Sequence, residues 1–477
     1  MKLSELLKGI ADIESIADFC VSGITSDSRK VKSGYVFVCI KGPVSDGHDY
    51  AEKAVEAGAK LVITERNLGI ANQLIVTDTR ELYFRATGRW FGDPLERLKL
   101  VGVTGTNGKT SVSYMLKAIL EANGHKCGLI GTIQHLIGDE VIESSNTTPG
   151  AYELQEMFAK MCDAGCEYAI MEVSSHALHQ KRICAVEFEV AMFTNLTQDH
   201  LDYHGSMENY LNAKAMLFKM TKCAVMNFDD KATPKLLENT SCDVITYSAE
   251  SNDATYSAKG INYRPDGVDF DFVGFGLIGR ARLKTGGKFS VYNGLCAICA
   301  ALRLGIKLPD ALVAVNNLSG VKGRAEVVPT GRDFHVIIDY AHTPDGLRNI
   351  LETFIDLPKN RLITVFGCGG DRDKTKRPLM GKIAASYSDY MIVTSDNPRT
   401  EDPMSIIKDI TAGMKEARSR YTVIENRIKA IKYAISIAEK DDIIVLAGKG
   451  HETYQILSTG KIHLDEREVV KEALEEL

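Results

Sequence analysis

At residues 100–110 an apolar run, LVGVT, passes without a break into Gly105-Thr-Asn-Gly-Lys-Thr110, and from there into the amphipathic stretch SVSYMLKAIL. Strand, glycine loop, helix is the order that aims backbone N–H groups and a helix N-terminus at one point, where they hold phosphate oxygens. On such an exposed loop Lys109 reaches the terminal phosphates and the Thr110 hydroxyl ligates Mg²⁺. The pattern departs from G-x-x-x-x-G-K-[ST], because Val103 stands five residues before Gly108 and Gly105 supplies the flexibility instead. A glycine turn with a solvated lysine needs neither flanking element, and both are here. The loop therefore predicts a phosphate site.

The rest of the chain fits that seed. Short apolar runs alternate with amphipathic stretches, which predicts an α/β fold with mostly parallel sheets. With 477 residues, and roughly 100–200 per domain, two to four domains are expected. Asp93-Pro94 breaks the pattern just before the phosphate-loop strand, placing a first segment at 1–95. That segment holds YVFVCIKG, KLVITE and QLIVTD with the helix YAEKAVEAGA between two of them. A second segment, 96–328, carries strands at YAIMEVSS, EVAMFTNL, CAVMNFDD and DVITYS, then an antiparallel hairpin at GVDFDFVGFGLIGRARLK. The third, 329–477, restarts with FHVIIDYAH, RLITVFGCGG, YMIVTSDNP and DIIVLAGKGHE, separated by helices such as residues 402–417.

Charge and composition exclude several classes. A net charge of −6 removes the electrostatic case for sequence-independent nucleic-acid binding. No apolar run approaches the ~18–20 residues that span a bilayer. At the N-terminus Leu3, Leu6, Leu7, Ile10 and Ile13 recur at helical spacing, and Glu5, Asp12 and Glu14 interrupt any signal-peptide core. The 11 cysteines are scattered, and the CxxC at Cys296–Cys299 lies in a helical run without a second pair, as buried thiols do. A reduced, cytoplasmic chain is expected.

Polar clusters follow the apolar strands, where ligands bind in open α/β sheets. Glu172 ends a strand beside the phosphate loop, as a magnesium carboxylate or as a helix cap. Residues 195–204, NLTQDHLDYH, place His200 and His204 four apart, but Leu201 stands where H-E-x-x-H needs its Glu. Lys214 falls in the apolar stripe of Met207, Tyr210, Leu211, Leu217 and Phe218, either snorkelling to water or desolvated with a lowered pKa. Asp339, the basic run Arg372–Arg377, Asp396-Asn-Pro-Arg399 and Gly448-Lys-Gly-His-Glu452 end four further strands. Each alone is turn chemistry; four together at one sheet edge predict a shared site.

Taken in order, GTNGKT, EVSSH, NLTQDHLDYHG, NAKAMLF, DYAHTPD, GCGGDRDKTKRP, DNPR and GKGHE resemble the Mur ligases, the ATP-dependent amide-forming enzymes of peptidoglycan synthesis. The match runs from about Asp27 to Glu452 and follows the enzyme of the third step, which extends UDP-N-acetylmuramoyl-L-alanyl-D-glutamate. It implies a UDP-substrate domain, a P-loop ATPase domain and a Rossmann-like C-terminal domain. Gly105, Thr106, Asn107, Gly108, Lys109, Thr110, Asn293, Arg324 and Asp339 would then hold ATP. Thr110, Glu172, His200 and a carbamate on Lys214 would hold two Mg²⁺ ions, with Lys109, Glu172, His200 and Lys214 as the catalytic set. Ser28, Asn146, Thr147, Thr148, Ser174, Gln180 and Arg182 match the grip on the UDP-muramoyl-dipeptide. Arg372, Asp396, Asn397, Arg399, Gly448 and Glu452 match the pocket for the incoming amino acid, and the DNPR form implies meso-diaminopimelate. A monomer is expected. Left open are an L-lysine-adding or folylpolyglutamate-type ligase, and a nucleotide-controlled binding protein that forms no bond.

Overall fold

The computed structural model describes residues 1–42, 45–144, 146–238, 240–355, 357–414 and 420–477. Its three main sheets fall in three successive runs of chain. The first is four-stranded and parallel throughout, with Gly23–Thr25, Tyr35–Val38, Ala59–Thr64 and Gln73–Ile75 side by side in chain order. Gly23–Thr25 adds a strand that the expected set lacks. The N-terminal helix is shorter than its apolar spacing predicts: it covers Leu3–Leu6 and gives way to a turn at Gly9, whose φ is 68°.

The second sheet has eleven strands, and the phosphate-loop strand Lys99–Thr104 lies inside it, paired in parallel with Tyr168–Glu172 and Phe188–Phe193. Beyond Phe188–Phe193 come Cys223–Asn227 and Asp243–Ser248, also parallel. Except for Asp243–Ser248, whose first two residues are exposed, these runs are apolar along nearly their whole length because helices cover both faces. On one face Lys109–Ala122 and Lys288–Arg303 pack together; on the other lies Ala151–Asp163. Antiparallel strands finish both edges. Tyr256–Arg264, Gly267–Gly274 and Leu277–Leu283 form one edge, including the expected hairpin, and Gln134–Ile137 with Glu140–Glu143 form the other.

The third sheet runs Glu326–Val328, His335–Asp339, Ile443–Ala447, Leu362–Phe366, Tyr390–Val393, Arg420–Val423, antiparallel only at the first pair. Its first strand precedes residue 329, so this sheet begins a few residues ahead of the expected third segment. The helix expected over 402–417 is Pro403–Ala412; residues 415–417 lie outside the described residues. Cys296 and Cys299 are fully buried in the helical core, the Cys296 thiol pushed up to about 12 by burial. Among the described residues no helix is long and apolar enough to cross a membrane.

The two joints between these units differ in kind. Leu82 and Phe84 of the helix Thr79–Trp90 share one apolar cluster with Leu154, Phe158, Met171 and Phe193 of the second unit. The third sheet instead has apolar clusters of its own on its two faces, and among the described residues Phe289 is the apolar side chain of the second unit that packs against them. Each joint holds a cavity, of ≈ 670 Å³ at the first and ≈ 750 Å³ at the second.

Candidate active site

Local sequence builds the phosphate loop as expected. The loop strand ends at Thr104 and the helix starts at Lys109, so the N-terminal N–H groups of that helix face the turn. Two glycines are demanded by geometry. Gly105 has φ 152°, and a Cβ there would sit 1.9 Å from the Thr194 hydroxyl; Gly108 has φ 86°, and its Cβ would meet Asn293 Oδ1 at 2.5 Å. Lys109 is not on an exposed loop, as expected from the motif. It opens the helix, half-buried, and its Nζ turns back to donate to the carbonyls of Gly105 at 2.9 Å and Thr106 at 2.8 Å. Burial holds its pKa below the usual lysine value, against the pull of Glu172 and Asp199.

Lys214 settles the ambiguity that its apolar stripe leaves. It does not snorkel: it is 1% exposed, its Nζ donates to Gly105 O at 2.8 Å, and it lies 4.4 Å from the Tyr210 ring centroid. Two lysines therefore converge on one carbonyl. Burial first, and the neighbouring Lys109 second, hold the Lys214 pKa well below its ordinary value, which favours the neutral amine.

Glu172 is fully buried and paired in register with Val103 of the loop strand. Its carboxylate accepts from Thr132 N at 3.0 Å and Thr132 Oγ1 at 2.8 Å, and Thr132 Oγ1 also meets Thr147 Oγ1 at 3.0 Å. It caps no helix; that task falls to Ser174. Thr148 Oγ1 donates to Glu172 O, and Arg182 donates to Thr148 O at 2.9 Å and to Gln180 Oε1 at 3.0 Å. Gln180 and Arg182 line the first cavity with Arg29, Lys30, Lys32 and Arg80, a strongly cationic wall. Ser28 sits on the turn Ser28–Lys30 beside that wall without lining it, and Asn146 is exposed, its carbonyl accepting from Ser144.

His200 takes a left-handed conformation, φ 53°, and stands 4.8 Å from the His176 ring and 3.4 Å from Asp199. His204 donates or accepts at Ser175 Oγ instead of facing a common metal with His200. Burial lowers the pKa of both, and that of His176 to about 4.

The second cavity brings Asn107, Gly108, Asn293, Arg324 and Asp339 together, as expected. Arg324 stacks 4.7 Å from the Tyr340 centroid and reaches Thr110 Oγ1 at 3.4 Å. Asp339 accepts from Ala325 N and Ala341 N, and burial raises its pKa against the opposing pull of Arg324.

The four strand-end clusters do meet at one edge of the third sheet, because their strands are parallel neighbours. Asn397 Nδ2 donates to Glu452 Oε2 at 3.0 Å, and Gly448 N donates to Asp339 O at 3.0 Å. Asp396 is buried; burial works against its charge, but Lys449 and Arg427 prevail and hold its pKa below the usual carboxylate range. Arg399 donates to Gly370 O at 2.9 Å, and among the described residues it forms no ion pair. Glu401 pairs with Arg377 and Lys374 instead, so Arg377, fully buried, belongs to the scaffold and not to the basic cluster. Arg372 stays exposed, and a Cβ on Gly369 would meet both it and Arg399, at 3.9 and 3.0 Å.

Three polar residues of the site lie inside quoted motifs without having been singled out. Asn195 clamps the loop by accepting from Asn107 N at 2.9 Å and donating to Asn107 O. Asp345 Oδ2 accepts from Asn107 Nδ2 at 3.2 Å and Thr197 Oγ1 at 2.9 Å across the second joint. Lys449, 0% exposed, bonds to Asn397 and Glu452. Their motif positions were the available signal; apart from the Lys449–Glu452 pair, their partners are far away in sequence.

Comparison with known proteins agrees with this arrangement. Residues 20–88 match the Mur ligase family catalytic domain, residues 103–301 the Mur ligase middle domain, and residues 323–450 the Mur ligase glutamate ligase domain. The chain is 49% identical, over 100% of its length and 99% of the relative's, to a UDP-N-acetylmuramoyl-L-alanyl-D-glutamate–2,6-diaminopimelate ligase of Caldanaerobacter subterraneus subsp. tengcongensis. A protein of the same name from Clostridium botulinum is 46% identical over 96% of both chains. A solved structure of such a ligase superposes with a TM-score of 0.73 at 35% identity, covering 96% of this chain and 95% of that one.

Proposed function

The chain belongs to the Mur ligase family, and from that premise we propose that it is the ATP-dependent ligase that joins meso-diaminopimelate to the D-glutamyl γ-carboxylate of UDP-N-acetylmuramoyl-L-alanyl-D-glutamate. One observation carries the reading. Hydrogen bonds run from the cationic first cavity through Arg182 and Thr148 to Glu172, beside the phosphate loop that also lines the second cavity. A diphosphate-bearing acid and a nucleotide thus have separate pockets with one reacting zone between them.

The γ-carboxylate attacks the terminal phosphate of ATP, giving an acyl phosphate and ADP. Lys109 and Arg324 face the charge on the transferring group, and such preorganised cations are a main source of rate in phosphoryl transfer. An amine of the amino acid then attacks the acyl carbon, and phosphate leaves. The donor set fits magnesium, a hard cation that takes carboxylate, hydroxyl and phosphate oxygens: Thr110 and Glu172 would supply oxygens, a carbamate on Lys214 would add more, and His200, 3.4 Å from Asp199, would help to hold the second ion. When bound, the ions supply further neutralisation of phosphate charge. A buried neutral amine is the form that captures CO₂, so active enzyme should carry the mass of one CO₂ on Lys214; an unmodified lysine in active enzyme would refute the carbamate. Arg399 offers a planar fork for the distal carboxylate of diaminopimelate, which lysine lacks.

The expected kinetic signature is ADP release that requires the UDP-dipeptide and the amino acid together. Steady turnover of ATP with neither present would instead favour a nucleotide-controlled binding protein.

A further inference from the structure

The amino-acid pocket contains a cation that no assigned role uses. Lys449, between Gly448 and Gly450, is 0% exposed, and its ammonium is surrounded by pocket residues. Nζ donates to Asn397 Oδ1 at 2.9 Å and to Glu452 Oε2 at 2.7 Å, and lies 5.6 Å from the Tyr454 ring centroid. A backbone donor, Ile456 N, reaches the same Asn397 Oδ1 at 2.9 Å. Two obligate donors on that atom make it the amide oxygen, so the amide nitrogen must point the other way, to Glu452 Oε2 at 3.0 Å. Both of these Glu452 bonds fall on Oε2, which leaves Oε1 for an incoming ammonium. Asp396, the second acid of the network, is held below the usual carboxylate range by Lys449 and Arg427, against the effect of burial.

We propose that Lys449 is the positioning residue of the amino-acid pocket, fixing the Asn397 amide and the Glu452 carboxylate in the orientation that receives the incoming diamino acid. This rests on the assignment of that pocket to diaminopimelate. Without Lys449 the Asn397 oxygen keeps Ile456 N as its donor but loses the ammonium, and Glu452 loses its counter-cation, so both side chains are held less firmly. The effect belongs to one substrate. Among the described residues no side chain of this network bonds to the phosphate loop or the cationic cavity, so ATP and the UDP-dipeptide should bind as before.

The test is steady-state kinetics on the full chain with each of the three substrates varied in turn, comparing Lys449→Met, Lys449→Arg and Asn397→Ala. Lys449→Met should raise KM for diaminopimelate by at least about 30-fold, as expected when one partner of a buried charge pair is removed. KM for ATP and for the UDP-dipeptide should stay within about twofold, a split that general loosening of the fold does not produce. If Lys449→Met does not fold, Lys449→Arg keeps the charge but misplaces the donors, and should show the same selective rise. An unchanged KM for diaminopimelate in the lysine variants, with a raised one in Asn397→Ala, would overturn the role of Lys449 and leave the pocket standing. If Asn397→Ala also leaves it unchanged, the pocket assignment itself has failed. Parallel rises in all three KM values would reduce Lys449 to a structural residue and refute the proposal.

Discussion

The joint between the first and second units is mainly apolar, with an Asp78–Lys181 ion pair, and the joint between the second and third is mainly polar, with Phe289 adding an apolar contact. Across the first, Phe84 and Leu154 belong to one continuous core, and Gln155 Nε2 bonds the Phe84 carbonyl at 3.3 Å. Across the second, contact is made by Asp345 to Asn107 and Thr197, and by Arg324 to Thr110. An apolar joint holds its partners at a fixed angle, because separating them exposes buried surface at ~25 cal/mol per Å². A polar joint can open at little net cost, since water replaces each lost hydrogen bond. The difference matches the chemistry proposed for each side. Under the proposed function the first cavity, holding the UDP-substrate, can stay preformed, whereas the second, holding ATP, must admit nucleotide and then close to keep water from the acyl phosphate.

That contrast can be broken at three places. The largest effect is expected at Lys109, on the reacting side of the polar joint. Lys109→Ala should cut ADP release by about 10³-fold or more, on the scale of losing a charge-stabilising group in phosphoryl transfer, while the melting temperature barely moves. Near-wild-type turnover at saturating ATP would remove the phosphate loop from the account. Next comes the apolar joint. Phe84→Ala should destabilise the protein by ~3–5 kcal/mol, with the first and second units still unfolding together in denaturant melts; separate transitions in wild type would show that the shared core does not couple them. The smallest effect is at the latch. Asp345→Ala should slow turnover by ~10-fold through misplacement of the loop and leave stability unchanged. A fall in stability comparable to that of Phe84→Ala would mean that the second joint is no softer than the first.

Much of the fold is legible in the sequence because parallel strands covered on both faces are uniformly apolar. Cys223–Asn227 and Ile443–Ala447 are buried at every position and stand out as such. Glu140–Glu143 does not: it is mostly exposed, carries two acids, and is a strand only because Gln134–Ile137 pairs with it. The N-terminal apolar spacing is misleading for a related reason. Leu3, Leu6 and Leu7 are buried by tertiary contacts that do not require a continuing helix. The site divides along the same line. The phosphate loop is a local structure, so its residues and spacing declare it. Asp345 acts through Asn107, 238 residues away, and Lys449 through Asn397, 52 away, besides its near neighbour Glu452; no local pattern announces the distant contacts. The state of Lys214 was undecidable from periodicity, since an apolar stripe is the same whether a lysine escapes to water or bends inward to Gly105.

The central claim is a ligase whose amino-acid pocket reads a distal carboxylate, and the most direct measurement is ADP release with saturating ATP and UDP-N-acetylmuramoyl-L-alanyl-D-glutamate, comparing meso-diaminopimelate with L-lysine. Arg399 is half-buried and already donates to Gly370 O, so losing the carboxylate it is placed to meet should cost ~1.5–3 kcal/mol, and kcat/KM is expected to favour diaminopimelate by ~10-fold or more, with Arg399→Ala erasing most of that preference. Equal use of the two amino acids by the unaltered enzyme would contradict the account.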